Sequence, residues 1–338
     1  MARPSKPVVP VFFGCDQRFT PFMGVALLSL IDHASSRRRY AIHILHTDIN
    51  QETQEKYKAF AKPNISIEFH DVSETIDVII DQLPIRDYYS PSTYFRFVIA
   101  ANFPQYDKAI YIDCDTTIMA DVAKLYDVPI GNNLVAAVPE AVVALMEPGA
   151  LYVEQVLGVN RRRYFNAGML VINSEQWRKN DVLGQFINLV SFYNFVVAQD
   201  QDYLNVICKN KVHYLPRKWN METLRPWNIP QKDISIIHYA FSAKPWHDIN
   251  CFYGQHFWKY ASMTPDYMVI KAQFASITNE QLEAEKNIAP SVMTSCLAEV
   301  ARSDNFLRRL STKRYSKSLG GKNPVIQELI ERIVSTQA

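Results

Sequence analysis

The sequence contains no run of about 18 apolar residues, so no segment is expected to cross a bilayer as a helix. The N-terminus, Met1-Ala-Arg-Pro-Ser-Lys6, lacks the apolar centre of a secretory leader. Cysteine is scarce: Cys15, Cys114, Cys208, Cys251 and Cys296 are odd in number, scattered, and without any Cys-x-x-Cys spacing. Neither a disulfide framework nor a cysteine-held zinc is expected, and a reducing cytosol is the favoured compartment. An excess of one charge is missing too. Lys and Arg total 36 against 34 Asp and Glu, a net charge of +2, which argues against a surface built to coat nucleic acid. No internal repeat occurs. No Gly-rich basic loop follows the first apolar run, where Phe13-Gly14-Cys15-Asp16-Gln17 stands, and this disfavours a nucleotidyltransferase that cradles a nucleoside triphosphate.

What is present is an alternation. Val8–Phe13, Tyr40–His46, Ile65–Val72 and Ala109–Ile112 read as buried strands. Between them lie helical stretches: Phe22–Ile31 after a Thr20-Pro21 start, Gln51–Ala61, and Ser92–Ala101 after Ser90-Pro91. Leu134–Val138, Phe165–Asn173 and Ile234–Tyr239 are further strands. Ser174 is read as the cap of a helix from about Glu175, and Gln199–Cys208 as another helix. Strands separated by helices predict an α/β fold with a mainly parallel sheet, whose ligands bind at the carboxyl ends of the strands. From about Met263 the composition turns polar and helix-prone. Arg302–Lys322 then sets seven Lys or Arg against one Asp, and Val325–Val334 has an amphipathic period. The expected organisation is a catalytic domain over 1–263 and a helical, basic appendage over 264–338. A basic segment beside an amphipathic one also predicts peripheral contact with an anionic membrane surface, against the plainer reading of a solvated linker and a packed helix.

Four clusters carry chemistry. Asp113-Cys114-Asp115 places two carboxylates at i and i+2 just past the strand Ala109–Ile112, a compact site for a hard divalent cation that could bridge diphosphate oxygens. His238 ends the apolar run Ile234–Ile237. A neutral imidazole beside two carboxylates suits Mn²⁺ better than Mg²⁺. Lys244 follows six residues later and can neutralise a phosphate as a point charge. Asp200-Gln201-Asp202 opens a helix, where the dipole alone would favour acids. In Phe165-Asn166-Ala167-Gly168 the small pair lets a ligand approach the backbone, and the Asn166 amide offers both a donor and an acceptor.

Taken together and in this order, Asp16, Arg96, Asp113-x-Asp115, Phe165-Asn166-Ala167-Gly168, Asp200-Gln201-Asp202 and His238…Lys244-Pro245-Trp246 resemble glycosyltransferase family 8 over roughly Val8 to Met263. That family includes the bacterial lipopolysaccharide galactosyl- and glucosyltransferases and, more distantly, glycogenin. The resemblance implies a GT-A-type, Rossmann-like nucleotide-sugar domain. It implies a UDP-galactose or UDP-glucose donor, Mn²⁺ (or Mg²⁺) held by Asp113, Asp115 and His238, and transfer to a glycan, glycolipid or glycoprotein hydroxyl with retention. Asp16 then matches the contact to the uracil–ribose end of UDP, Lys244 the pyrophosphate contact, and Arg96, Asn166, Asp200 and Gln201 the surroundings of the donor sugar. Gln201 matches the amide on the β face of the anomeric carbon, with Asp200 as the fallback nucleophile. Glu140 matches, by spacing, an acid facing donor and acceptor. Phe241 stands where the family usually has glycine, and Arg18 where it often has Asn. A nucleotide-sugar-binding protein without catalysis and a self-glucosylating, glycogenin-like protein are the alternatives.

Overall fold

The computed structural model describes residues 7–77, 90–224 and 227–311. A seven-stranded sheet forms its centre, built from β1 (Val9–Gly14), β2 (Tyr40–His46), β3 (Ile65–Asp71), β4 (Ala109–Ile112), β6 (Val135–Pro139), β7 (Phe165–Ile172) and β8 (Val212–Tyr214), in the order β3-β2-β1-β4-β7-β6-β8. A second sheet of β5 (Thr116–Ile118), β10 (Ile236–His238) and β9 (Met221–Glu222) has the order β5-β10-β9. The larger sheet is parallel except for β7, which runs antiparallel to both β4 and β6. The expected α/β fold with a mixed, mainly parallel sheet is thus present.

The apolar runs are continuous because helices cover both faces of the sheet. Phe12, Tyr111, Leu170 and Ile172 point into one core. Their neighbours Val11, Phe13, Ile110, Ile112 and Val171 point into the other. The helix Thr20–His33 is buried along most of its length. Three local expectations are corrected. Thr20 is the first helical residue and makes no capping bond to the helix; its hydroxyl donates to Gln17 O, while the Asp16 carboxylate accepts from Phe19 N and caps the preceding 3₁₀ turn Gln17–Phe19. Asn173, not Ser174, caps the helix Ser174–Lys179. The stretch expected as a helix over Ser92–Ala101 is a 3₁₀ helix, Pro91–Val98, followed by one α turn, Ile99–Asn102.

Residues 264–311 form helices that pack on the domain. Lys56 and Tyr57 both bond Asp266, and Ile270, Val292, Cys296 and Phe306 are buried in the cores. Part of the basic stretch is neutralised there: Arg302 pairs with Glu299 and Asp304, and Arg309 with Asp304. The amphipathic segment 325–334 and the basic residues after Ser311 lie outside the described residues. Among the described residues, no helix is long and apolar enough to cross a membrane.

Candidate active site

Strand register brings distant residues together at the carboxyl end of the central strand β4. β4 pairs with β7 so that Ile112 faces Met169, and Asp113 N donates to Gly168 O at 2.8 Å. β5, just after the acidic pair, pairs antiparallel with β10, setting His238 opposite Thr116. Tyr239 N then donates to Asp115 O at 2.9 Å. Ligand atoms of Asp113, Asp115 and His238 consequently lie within 4.8 Å of one another. They face a cleft of about 530 Å³, a size that suits a small ligand, which Asp16, Arg96, Asn166, Asp200, Gln201 and Lys244 also line.

A hydrogen-bond relay orients the imidazole. Gly168 N–H can only donate, and it donates to Asn166 Oδ1 at 2.9 Å. The amide nitrogen of Asn220 donates to the same oxygen at 2.7 Å. Asn220 Oδ1 is therefore an acceptor, and it lies 2.9 Å from His238 Nδ1. A neutral ring protonated at Nδ1 presents the Nε2 lone pair toward Asp115 Oδ1, 3.2 Å away. That carboxylate oxygen is buried and accepts no well-directed hydrogen bond among the described residues. Two acceptors facing each other beside a second carboxylate fit a divalent cation. Gly168 makes the room: a Cβ there would stand 2.3 Å from His238 Cε1 and 2.7 Å from Asp113 Oδ2.

Charge around these ligands is nearly balanced by fixed cations. Arg96, almost wholly buried, donates to Asp113 Oδ1 at 2.9 Å, lies 3.2 Å from Asp200 Oδ2, and stacks on the Tyr111 ring at 4.3 Å. Burial would strip its proton, but Asp113 and Asp200 outweigh burial and raise its pKa. Lys244 Nζ bonds Asp115 Oδ2 and Tyr239 O, each at 2.5 Å. Burial alone would raise the pKa of Asp115; Lys244 and His238 overcome this and hold it below the usual carboxylate range. Asp200 differs. Burial, reinforced by Asp113 and Asp202, pushes it up to about 7 despite Arg96.

The remaining candidates divide. The Gln201 amide accepts from Ala167 N at 3.0 Å and donates to Tyr164 Oη at 3.1 Å, so its orientation in the cleft is fixed. Asp202 turns away to accept from Tyr152, Tyr164 and Ala198 N. Glu140 is not brought into the cleft: its carboxylate accepts the N–H groups of Val142, Val143 and Ala144, which a tight turn otherwise leaves unpaired. Phe241 lines the cleft with a positive φ of 54°, the left-handed conformation that glycine adopts freely. Sequence reasoning missed Asn220, which belongs to no motif, and Glu222, whose Oε1 lies 3.4 Å from Asn166 Nδ2. The cleft wall also includes Gln281 and Glu285 of the helix Asn279–Lys286, a segment in which the sequence shows no motif.

Comparison with known proteins bears on this geometry. The model of the family described as "Glycosyl transferase family 8" matches residues 10–250, well over half of the chain. The chain belongs to glycosyl transferase family 8. Among proteins similar to this family 8 glycosyltransferase is a "Putative glycosyltransferase" of Haemophilus influenzae, 29% identical over 265 residues, covering 72% of this chain and 76% of the relative. A "Lipopolysaccharide 1,3-galactosyltransferase" of Salmonella typhimurium is 25% identical over 281 residues, covering 75% and 78%. Of solved structures, the bifunctional glycosyltransferase WbbM superposes with a TM-score of 0.70 at 28% identity over 81% of this chain. This chain spans about half of that one, 53%. The galactosyltransferase LgtC, solved with donor and acceptor sugar analogues, has a TM-score of 0.64 at 22% identity, covering 82% of this chain and 100% of its own, and shares the fold. The fold is that of the GT-A glycosyltransferases.

Proposed function

We propose that this glycosyltransferase moves a hexose, galactose or glucose, from a UDP-sugar to a hydroxyl of a glycan or glycoconjugate, with Mn²⁺ and with retention of the α configuration. The observation that carries this reading is the pair of acceptors Asp115 Oδ1 and His238 Nε2 facing each other at 3.2 Å beside Asp113, with the ring tautomer set by Asn220. Asp113, Asp115 and His238 would hold the cation, which when bound would offset charge growing on the departing diphosphate. The lipopolysaccharide galactosyl- and glucosyltransferases among the relatives support the hexose donor and a cell-surface glycan acceptor. The five free cysteines support a cytoplasmic setting.

The chain's own groups would divide the work. Asp16 lies in the cleft where the nucleoside end of the donor would sit, and Lys244 would move its positive charge toward the phosphates. Arg96 holds the Asp113 carboxylate in place. The glycosidic bond to the β-phosphate breaks, the bond from the anomeric carbon to the acceptor oxygen forms, and the acceptor proton leaves with UDP. Attack from the face of the leaving group is favoured over a covalent intermediate. Gln201 is an amide already engaged at both ends, and Asp200 is a buried carboxyl that protonates easily at neutral pH, so neither is a strong nucleophile. The test is UDP release from UDP-galactose and UDP-glucose with Mn²⁺ for the wild type and Asp115→Ala. A loss of about 100-fold or more is expected; undiminished turnover would overturn the assignment.

A further inference from the structure

A second group of metal-ligating side chains lies away from the donor cleft, on the outer pair of strands. β2 and β3 are in parallel register with His43 opposite Glu68, and His70 lies two residues beyond Glu68 on the same side of β3. His43 Nδ1 is 2.9 Å from His70 Nε2. Glu68 Oε2 is 3.9 Å from the first of these nitrogens and 3.8 Å from the second. Ligands bound tetrahedrally at 2.0–2.1 Å stand about 3.4 Å apart, and the three spacings straddle that value. His43 is held by its outer nitrogen: Nε2 lies 3.0 Å from the Tyr106 hydroxyl, so Nε2–H can donate there and leave Nδ1 bare. Its ring stacks on Phe12 at 4.7 Å and packs against Phe103 at 5.2 Å, which presets its direction. His43 is buried at the floor, while Glu68 and His70 reach solvent, giving an ion a way in and a water a fourth position.

We propose that His43, Glu68 and His70 form a second cation site, a structural clamp that ties the edge strand β3 to β2 and takes zinc or another late first-row divalent ion. Two imidazoles and one carboxylate are a softer set than the two carboxylates and one imidazole of the cleft. The two sites are therefore expected to sort cations differently. The clamp does not depend on the donor-sugar reading, because none of its three residues lines the cleft. A bound ion would add a link between neighbouring strands at the sheet's exposed edge, where pairing is otherwise one-sided.

Zinc binding by the full chain, followed by competition with a chromogenic chelator, tests the site. The Asp115→Asn background removes the cleft site from the measurement. In that background one zinc per chain is expected, with an affinity that falls at least about 10-fold in Glu68→Gln and about 100-fold in His70→Gln. Zinc should raise the melting temperature of Asp115→Asn and not that of Asp115→Asn/His70→Gln. Should Asp115→Asn fail to fold, the otherwise unaltered chain is compared with Glu68→Gln/His70→Gln, and binding should fall from two zinc ions to one while Mn²⁺-supported UDP release is retained. Zinc affinity unchanged by both substitutions would overturn the proposal. So would absence of zinc binding below about 100 μM in Asp115→Asn, which would leave the two histidines as a hydrogen-bonded pair only.

Discussion

Residue 168 and His238 are in such close contact that only glycine fits: an added Cβ would lie 2.3 Å from the imidazole Cε1 and 2.7 Å from the Asp113 carboxylate. The neighbours that must yield are the two candidate ligands themselves. Gly168→Ala should therefore fold, since the backbone there is ordinary β-strand, yet push the His238 ring and Asp113 apart. We expect UDP release to fall by about 100-fold, with the Mn²⁺ concentration for half-activity rising and the melting temperature changing by only about 4 °C. Metal titrations of activity alongside thermal unfolding check it. Wild-type Mn²⁺ dependence in the alanine variant would contradict the placement of His238.

Asn220 supports the same ring from behind. It takes the Nδ1 proton's hydrogen bond and is itself fixed by Asn166 and, through Asn166, by Gly168 N–H. Asn220→Ala removes the acceptor, frees the tautomer and leaves Nδ1 unpaired in a buried place. A 10- to 100-fold weaker Mn²⁺ dependence is expected, about the cost of losing an outer hydrogen bond to a metal-bound histidine. Asn220→Asp, which keeps an acceptor, should recover part of it. Equal losses in both variants would point to a merely structural asparagine.

The strands and the acidic pair were legible for one physical reason. β1, β2, β4 and β7 are covered on both faces, so they appear as unbroken apolar runs, and Asp113 interrupts such a run abruptly. β8 and β9, three and two residues long, are too short to show any period. Spacing located Glu140 in the chain but could not show that three backbone N–H groups claim its carboxylate. Thr20 and Asp16 are both good capping residues four positions apart, and only the fold decides that Asp16 does the capping. Asn220 carries no sequence signal, because its role exists only once β9 and β10 pair.

The resemblance to family 8 leads to an expectation of glycine at position 241, and Phe241 there holds a conformation that glycine adopts freely, φ 54°. A bulky L-residue held in that conformation is strained. Comparing Phe241→Gly with Phe241→Ala isolates that strain, because both remove the ring. The glycine variant should be more stable by about 1 kcal/mol, since a left-handed backbone costs an L-residue about that much. Thermal unfolding would show this as a melting temperature about 2–4 °C higher for glycine. An alanine variant as stable as the glycine variant would remove the strain from the account.

Asp200 gives a pH signature. Its carboxyl is pushed up to about 7 by burial and by neighbouring carboxylates, against an ordinary value of 3.8. A carboxyl with a raised native pKa stabilises the fold when protonated. That contribution is complete below about pH 4 and is lost as pH rises through 7. Wild-type stability should thus fall relative to Asp200→Asn between pH 4 and 7 and run parallel to it above pH 8. Each tenfold gain in proton affinity is worth about 1.4 kcal/mol, so the two curves should diverge by about 2–4 kcal/mol across that window. Denaturant unfolding at pH 5, 6, 7 and 8 measures the divergence directly, and contributions from other groups cancel in the difference. Loss of the Arg96 partner shifts the whole variant curve without altering its slope, because Asp113 still holds the guanidinium. A difference that stays flat from pH 5 to 8 would mean that Asp200 remains ionised throughout. It would then be available as a nucleophile, and the case for same-face transfer would rest on Gln201 alone.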